Sequence, residues 1–222
     1  LKKKYDLDNL KVVKLSIEDV KELEMSFDRI VCTGVLHHLP DPDAGLKALR
    51  EVMNPDGAMH LMVYAPYGRT GIYMMQDFCR LLGIKADKDG IRNLIRSIKG
   101  LPKGHPLETL IRNAPDFQYE EALADALLNP MDRAYTVPQL YEFIKKGGMK
   151  FGRWIKQAMY SSRCGVMSQI PQSEKLQQLS AEEQYAAAEL FRGTMVRHSM
   201  IAYRNDNPND PGKLSFENEN CQ

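Results

Sequence analysis

The sequence predicts an α/β fold: a Rossmann-like, doubly wound and mostly parallel sheet, incomplete at its amino-terminal side, with a helical cap insertion. Three observations support this class. A strand, a helix and a strand follow one another within residues 27–65, which is the βαβ unit of a parallel sheet. Residues 70–131 then show helical spacing and no clear strand. Strand patterns return at residues 149–156 and 197–204.

Three strands are predicted in the first part of the chain, at residues 10–15, 27–33 and 59–65. The second of them holds consecutive apolar residues, which is typical of a strand buried on both faces. A helix over residues 44–53 separates the second strand from the third. Asp41, just before this helix, has the side chain of an N-cap.

The chain is predicted to divide into four parts. They are a partial Rossmann-like core, a helical cap on the substrate side, the carboxyl-terminal part of the core with its edge strands and a helical insertion, and a disordered tail rich in Asn, Asp and Pro. These parts span residues 1–69, 70–131, 132–204 and 205–222. Beyond the first core part, helices are expected at 70–82, 89–99, 118–128, 138–146 and 180–191, the last one opened by a capping box at Ser180 and Glu183.

The composition is ordinary for a globular chain and excludes several classes of protein. The 222 residues carry 30 basic and 29 acidic side chains, a net charge of +1, so no global charge favours nucleic acid or an anionic membrane. No apolar run reaches the roughly 18 residues of a membrane span, and the first residues lead into no signal peptide. The four cysteines are scattered without a C-x-x-C pair, which favours a reducing, cytoplasmic compartment.

Chemistry-bearing residues gather where the strand at 27–33 ends. The sequence there runs through Cys32, Thr33 and Gly34 into a loop with the adjacent histidines His37 and His38. In open parallel sheets, ligands bind at the carboxyl ends of the strands. These five residues therefore stand where a ligand is expected. We expect no metal ion at the histidine pair, because no second ligand follows at helical spacing and no nearby carboxylate completes a set.

The run from Phe27 to Pro42, followed by the pattern from Leu46 to Gly57, resembles the later half of a class I S-adenosylmethionine-dependent methyltransferase. The resemblance is clear over residues 10–66 and implies S-adenosylmethionine as the cofactor. It implies that Ser16, Ile17 and Glu18 follow the family's third strand beside the adenine, that Cys32, Thr33 and Gly34 lie beside the sulfonium, and that His38 pins the cofactor loop. The family's Gly-rich loop has no counterpart here and the chain begins with Leu1, so we expect an amino-terminally truncated fragment that is inactive in isolation.

The same resemblance places His37 at a variable position that faces the substrate. The strand at 59–65 leads into three phenols and a guanidinium, which are predicted to form a substrate rim for a carboxylate or phosphate. The predicted catalytic residues are His37, Tyr64 and Tyr67, and the predicted substrate-binding residues are Arg69 and Tyr73. The competing interpretation is a tight turn whose aromatic side chains pack under the cap.

The expected reaction is methyl transfer from S-adenosylmethionine to an O, N or C nucleophile of a small-molecule acceptor. Two alternatives stay open: a nicotinamide-dependent oxidoreductase on a similar sheet, which would need a G-x-G-x-x-G segment, and a non-catalytic scaffold that keeps the fold without binding the cofactor. The expected partner is a small molecule, and a homodimer is left open.

Overall fold

The computed structural model of the protein describes residues 2–5, 7–113 and 119–209. Its four strands are β1 (Phe27–Thr33), β2 (Met53–Tyr64), β3 (Met149–Trp154) and β4 (Arg197–Arg204). They form one sheet in the order β1-β2-β4-β3. β1 and β2 are parallel, and β4 runs antiparallel to both β2 and β3, so three of the four strands point the same way. The predicted α/β class, with an antiparallel edge, is confirmed.

The helices of the described residues are α1 (Lys2–Tyr5), α2 (Pro42–Glu51), α3 (Thr70–Leu81), α4 (Lys88–Lys99), α5 (Pro106–Asn113), α6 (Glu120–Leu128), α7 (Val137–Lys146), α8 (Ser173–Gln178) and α9 (Ala181–Arg192). The predicted N-cap of α2 is present, since the Asp41 carboxylate accepts a hydrogen bond from the Ala44 amide at 2.9 Å. The capping box of Ser180 and Glu183 opens α9 as predicted. None of these helices combines the length and the apolar character needed to cross a membrane.

The strand predicted at residues 10–15 is wrong. These residues have no regular structure, and Val12 is 81% exposed. In the standard doubly wound order, two strands separate the third strand from the fourth. The described residues contain no strand at the position that would neighbour 10–15 in that order, and a strand without a neighbour cannot satisfy its backbone hydrogen bonds.

Two further features differ from the sequence analysis or add to it. Helix α5 was missed, because Gly100, Pro102 and Gly104 before it indicate a loop; Pro106 occupies its first position, where the missing amide costs nothing. At the start of the predicted disordered tail, the Arg50 guanidinium donates to the Asn205 side chain at 3.1 Å, and the extent of the tail stays a prediction. Residues 210–222 of that tail, and residue 118 of the predicted third cap helix, lie outside the described residues.

Two separate apolar clusters stabilise the fold. The larger lies between the sheet and helices α2, α7 and α9, and the smaller lies among helices α3 to α6. The buried members of the smaller cluster are Ile72, Met75, Cys79, Leu94, Leu107, Leu123 and Leu127. We call helices α3 to α6 the cap. The exact division of the chain at residues 70 and 131 stays a prediction.

Two glycines allow the start of the cap to approach its surroundings closely. A Cβ atom at Gly71 would meet the backbone nitrogen of Leu107 at 2.2 Å, so only a residue without a side chain lets α3 pack on α5. A Cβ at Gly68 would lie 2.4 Å from the carbonyl of Met195, just before β4. The cap therefore begins at a fixed place, directly beyond the carboxyl end of β2.

Candidate functional site

Three segments meet at the carboxyl ends of β1 and β2. A 3-10 turn, Leu36–His38, follows β1, and Tyr64 is the last residue of β2. Residues 129–135, here called the return segment, run from the cap back to the core. They are fixed by two hydrogen bonds: the Arg133 amide donates to the His37 carbonyl at 3.2 Å, and the Tyr135 amide donates to the Tyr64 carbonyl at 2.9 Å.

His37 lies at the centre of this junction and is fully buried. Its ring centroid is 4.0 Å from that of Tyr64 and 4.2 Å from that of His38. The pKa of His37 is lowered to about 3, mainly by burial and to a smaller extent by the nearby charges of His38 and Arg69. The imidazole is therefore neutral near pH 7, and with so low a pKa it is too weak a base to remove a proton from a substrate efficiently.

A buried ion pair closes the site on the cap side. Arg69 Nη2 lies 2.7 Å from Asp132 Oδ2, and the two side chains are 7% and 1% exposed. Gln76 donates to the same carboxylate oxygen at 3.1 Å. The Arg69 guanidinium also lies over the Tyr64 ring, 3.5 Å from its centroid, and its Nε donates to the Tyr73 hydroxyl at 3.1 Å. This arrangement holds the guanidinium in place from several sides.

The structure thus brings together five of the residues predicted from the sequence: His37, His38, Tyr64, Arg69 and Tyr73. Tyr67 begins the 3-10 turn Tyr67–Arg69, is 39% exposed, and has no ring contact with another described residue.

The residues expected to hold the cofactor lie in two places. Cys32 is buried at the end of β1, Thr33 is exposed, and Gly34 adopts a φ of 75° while its amide donates to the Met62 carbonyl at 3.2 Å. Ser16 and Glu18 are exposed at the start of the 3-10 turn Ile17–Leu23. Ile17, between them, packs against the same apolar cluster that contains Cys32.

Sequence reasoning missed the partners that come from the return segment and from α3. Asp132 and Gln76 carry no motif, and each is far from the histidines in sequence. One nitrogen of His37, one nitrogen of His38 and one carboxylate oxygen of Asp132 lie within 4.8 Å of one another. The only available signal was a physical one: Arg69, if buried, requires a carboxylate partner. That requirement does not say which carboxylate.

An open cleft of about 470 Å³ lies beside this junction, between the start of α2 and α7. Arg133 and Tyr135 of the return segment line one side of it, and Glu142 and Lys146 line another. None of the residues predicted to bind cofactor or substrate lines this cleft.

Comparison with known proteins supports the predicted fold. Residues 2–59 match a family model described as a methyltransferase domain. The fold that the sequence predicted, that of a class I S-adenosylmethionine-dependent methyltransferase, is confirmed by this match and by the solved structures given below.

Particular relatives extend the likeness beyond these residues. An uncharacterized protein of Synechococcus sp. is 32% identical over 195 residues, which are 83% of this chain and 45% of that protein. A tRNA U34 carboxymethyltransferase of Campylobacter lari is 43% identical over 47 residues, which are 21% of this chain and 16% of that enzyme. The chain thus spans less than half the length of these relatives.

Solved structures show the same fold. PKMT2 from Rickettsia typhi superposes with a TM-score of 0.70 at 17% identity, covering 97% of this chain and 42% of that chain. The complex of the same protein with AdoHcy superposes with a TM-score of 0.69 at 18% identity, covering 93% of this chain and 42% of that one.

The different burial of the cysteines gives a first testable prediction. Burial raises the pKa of the Cys32 thiol to about 11, against a smaller lowering by a backbone hydrogen bond with Leu36. At pH 8 its thiolate fraction is therefore about 100-fold smaller than that of an ordinary thiol. Cys79 is also buried, whereas Cys164 is exposed.

We expect Ellman's reagent to label Cys164 of the native protein rapidly and Cys32 at least about 100-fold more slowly. The variant carrying Cys164→Ser and Cys221→Ser isolates the two buried thiols, and its unfolded form supplies the full thiol count. A fast labelling phase in the native double variant would contradict the prediction.

Proposed function

We propose that the protein transfers a methyl group from S-adenosylmethionine to a small-molecule acceptor, with the cofactor bound at the carboxyl ends of β1 and β2. The observation that supports this most directly is the left-handed backbone at Gly34, which directly follows β1, a strand parallel to its neighbour β2. A glycine in that conformation gives a ligand close access to the backbone.

For the cofactor, we propose contacts from two segments. Cys32, Thr33 and Gly34 would lie beside the sulfonium and carboxypropyl groups, with His38 bracing the loop behind them. The backbone atoms of Ile17 and Glu18 would contact the adenine, and the exposed Ser16 hydroxyl would stand where the resemblance to the methyltransferase family implies an acidic side chain. S-adenosylmethionine supplies the methyl group as an electrophile attached to a positively charged sulfur.

For the reaction, we propose that the protein mainly aligns the acceptor. The acceptor's O, N or C atom forms a bond to the methyl carbon, the carbon–sulfur bond breaks, its electron pair returns to sulfur, and the acceptor's proton leaves to solvent. Positioning dominates the rate of such a displacement. Burial raises the pKa of Tyr64, against the lowering influence of Arg69, so its phenol stays protonated and can orient the acceptor by donating a hydrogen bond.

The remaining predicted residues would shape the acceptor side. Burial raises the pKa of Tyr73 to about 12, so this phenol too is neutral. Arg69, held by Asp132, would present the edge of its guanidinium, and Tyr67 would form the exposed rim. His37 would act as a rigid wall behind Tyr64, because a buried imidazole with so low a pKa is a poor general base.

We further propose a cytoplasmic location, which the free thiols of Cys32, Cys79 and Cys164 support, since disulfides are rare in reducing compartments. The formation of a homodimer stays a prediction.

Matched glycine variants test where the cofactor binds. Gly34 and Gly83 both have positive φ, of 75° and 62°, and a Cβ at either meets no atom closer than 3.5 Å. An alanine at either position should therefore cost a similar amount of stability, about 1–2 kcal/mol, from the left-handed backbone alone. Only Gly34→Ala would place a methyl group against the proposed cofactor, so we expect it alone to weaken S-adenosylhomocysteine binding by at least about tenfold.

The measurement is calorimetric titration of S-adenosylhomocysteine, with thermal melts of both variants. It uses the 222-residue chain and, in parallel, any longer natural chain that contains it. Equal affinities of Gly34→Ala and Gly83→Ala would reject the proposed cofactor position. A folded longer chain that binds no S-adenosylhomocysteine would favour the non-catalytic scaffold, and one that instead binds NADH would favour the oxidoreductase. Release of S-adenosylhomocysteine in the presence of small nucleophilic acceptors then identifies the substrate.

A further inference from the structure

Two histidines and an aspartate converge where the return segment passes the carboxyl end of β1. One nitrogen from each of His37 and His38 and one oxygen of Asp132 lie within 4.8 Å of one another. The histidines come from the 3-10 turn after β1, and the aspartate comes from beyond the cap. The three donor atoms therefore share one small region although their residues are distant in sequence.

Two of these three residues carry buried polar atoms that lack partners among the described residues. Both ring nitrogens of His37 and the Oδ1 atom of Asp132 are buried without a hydrogen bond. The His37 residue is fully buried, and the Asp132 side chain is 1% exposed. Buried polar atoms in proteins nearly always have a partner, so unpartnered atoms on two neighbouring side chains indicate a missing ligand to which both residues can bind.

The surrounding contacts leave these atoms free while fixing the groups that carry them. Arg69 and Gln76 both donate to Oδ2 of Asp132, at 2.7 Å and 3.1 Å, and this leaves Oδ1 unengaged. The hydrogen bond from the Arg133 amide to the His37 carbonyl holds the return segment against the turn. Outer contacts of this kind, which orient a carboxylate from behind, are characteristic of metal ligands in proteins.

His38 is held less tightly than the other two residues. Its Nδ1 lies 3.4 Å from the Asn129 side-chain nitrogen, a long hydrogen bond that a stronger ligand would displace at little cost. Asn129 keeps its own orientation, because its side-chain oxygen accepts from the Met131 amide at 2.9 Å. His38 can therefore turn its free electron pair toward the other two ligands without disturbing the return segment.

We propose that His37, His38 and Asp132 bind one divalent transition-metal ion, with Zn²⁺ as the best fit. Two imidazoles and one carboxylate form the donor set of three-ligand zinc sites, which keep a fourth position open for water or another ligand. Hard cations such as Mg²⁺ and Ca²⁺ prefer oxygen donors and fit the set poorly. The donor atoms must draw closer than 4.8 Å, since zinc bonds to nitrogen and oxygen are about 2 Å long.

Arg69 sets the expected strength of this site. Its positive charge balances the carboxylate, so the ion enters a region without net negative charge. We therefore expect an affinity in the micromolar range, weaker than that of a site whose carboxylate is unpaired. The proposal does not depend on methyl transfer, because the three ligands and their orphaned atoms are present whatever the protein does.

The test is a titration of chelator-treated, desalted protein with Zn²⁺ by calorimetry and with Co²⁺ by visible absorption. We expect one ion per chain, and for Co²⁺ the absorption bands of a nitrogen- and oxygen-ligated, four- or five-coordinate ion. His38→Asn should weaken binding at least about tenfold, because it removes one of three ligands. His60→Asn is the matched control: its ring hydrogen-bonds Ser199 at 2.7 Å on the sheet, away from the proposed site.

Asp132→Asn is a second variant, and its melting curve shows whether it still folds after the Arg69 partner is weakened. Absence of saturable one-to-one binding to the folded protein would overturn the proposal. Equal Zn²⁺ affinities of His38→Asn and His60→Asn would overturn it as well. Since S-adenosylhomocysteine titration is a separate measurement, either proposal can fail while the other stands.

Discussion

Replacing Glu189 with Ala is expected to lower the free energy of unfolding by about 3–5 kcal/mol, the cost of breaking a buried charged network. The Glu189 side chain is 1% exposed. Its Oε2 accepts from the Val137 amide at 2.7 Å, and its Oε1 accepts from Nε2 of His198 at 3.1 Å. The other ring nitrogen of His198 accepts from the Tyr160 hydroxyl at 2.7 Å. One carboxylate thus connects α9 with the first turn of α7 and with β4.

The substitution would leave the Val137 amide and the Nε2 atom of His198 without partners in the core, where water cannot replace the lost carboxylate. Urea unfolding monitored by circular dichroism gives the free energy directly. Glu189→Gln should lose less, since its amide oxygen can still accept from Val137. Glu174→Ala, on the exposed neighbouring helix α8, is the control and should change stability by no more than about 0.5 kcal/mol. A loss for Glu189→Ala as small as that of the control would refute the predicted role of the network.

The second large effect is expected at the cap, where Arg69→Met should cost about 3–5 kcal/mol. The substitution keeps much of the apolar stem but leaves the Asp132 carboxylate, 1% exposed, without its positive partner. A lone buried charge is far more costly than an ion pair replaced as a whole. The double variant Arg69→Met with Asp132→Leu should therefore recover most of the loss.

A double-mutant cycle from the same unfolding experiment measures this coupling. Arg80→Met is the matched control, because Arg80 pairs with Asp77 on the surface, with side chains 71% and 66% exposed. Exposed pairs of this kind contribute about 0–1 kcal/mol. If the Arg69 and Arg80 variants lose the same stability, or if the double variant is no better than Arg69→Met, the ion pair does not have the role assigned to it.

The parts of the fold that the sequence predicts well are those specified locally. The strand–helix–strand unit around α2 has its own N-cap, apolar spacing and turn residues, and the structure confirms it. The strands β3 and β4 follow from the same kind of local pattern, whereas their antiparallel pairing does not follow from that pattern. Residues 10–15 also have a strand pattern, yet they remain irregular, because a strand is completed only by hydrogen bonds from a neighbour.

The residues of the site also divide into those that the sequence could place and those that it could not. The histidine pair could be placed from the sequence, because residues after a parallel strand must lie at the carboxyl edge of the sheet. Asp132 could not be placed, because its position depends on how four cap helices bring the chain back to that edge. Helix α5 illustrates the difficulty: it lies between glycines and prolines that indicate a loop, and it becomes a helix by packing on α3.

The ion pair between Arg69 and Asp132 has a consequence for how this protein can diverge. Its two members lie at opposite ends of the cap, so the pair ties both ends of a long insertion to one point beside the sheet. The cap also has an apolar cluster of its own. Because the entropy of closing a loop rises only slowly with its length, helices between these two residues can be lengthened, shortened or replaced while the sheet stays unchanged. The helices of the cap could therefore be exchanged as one unit, with Arg69 and Asp132 as its boundaries.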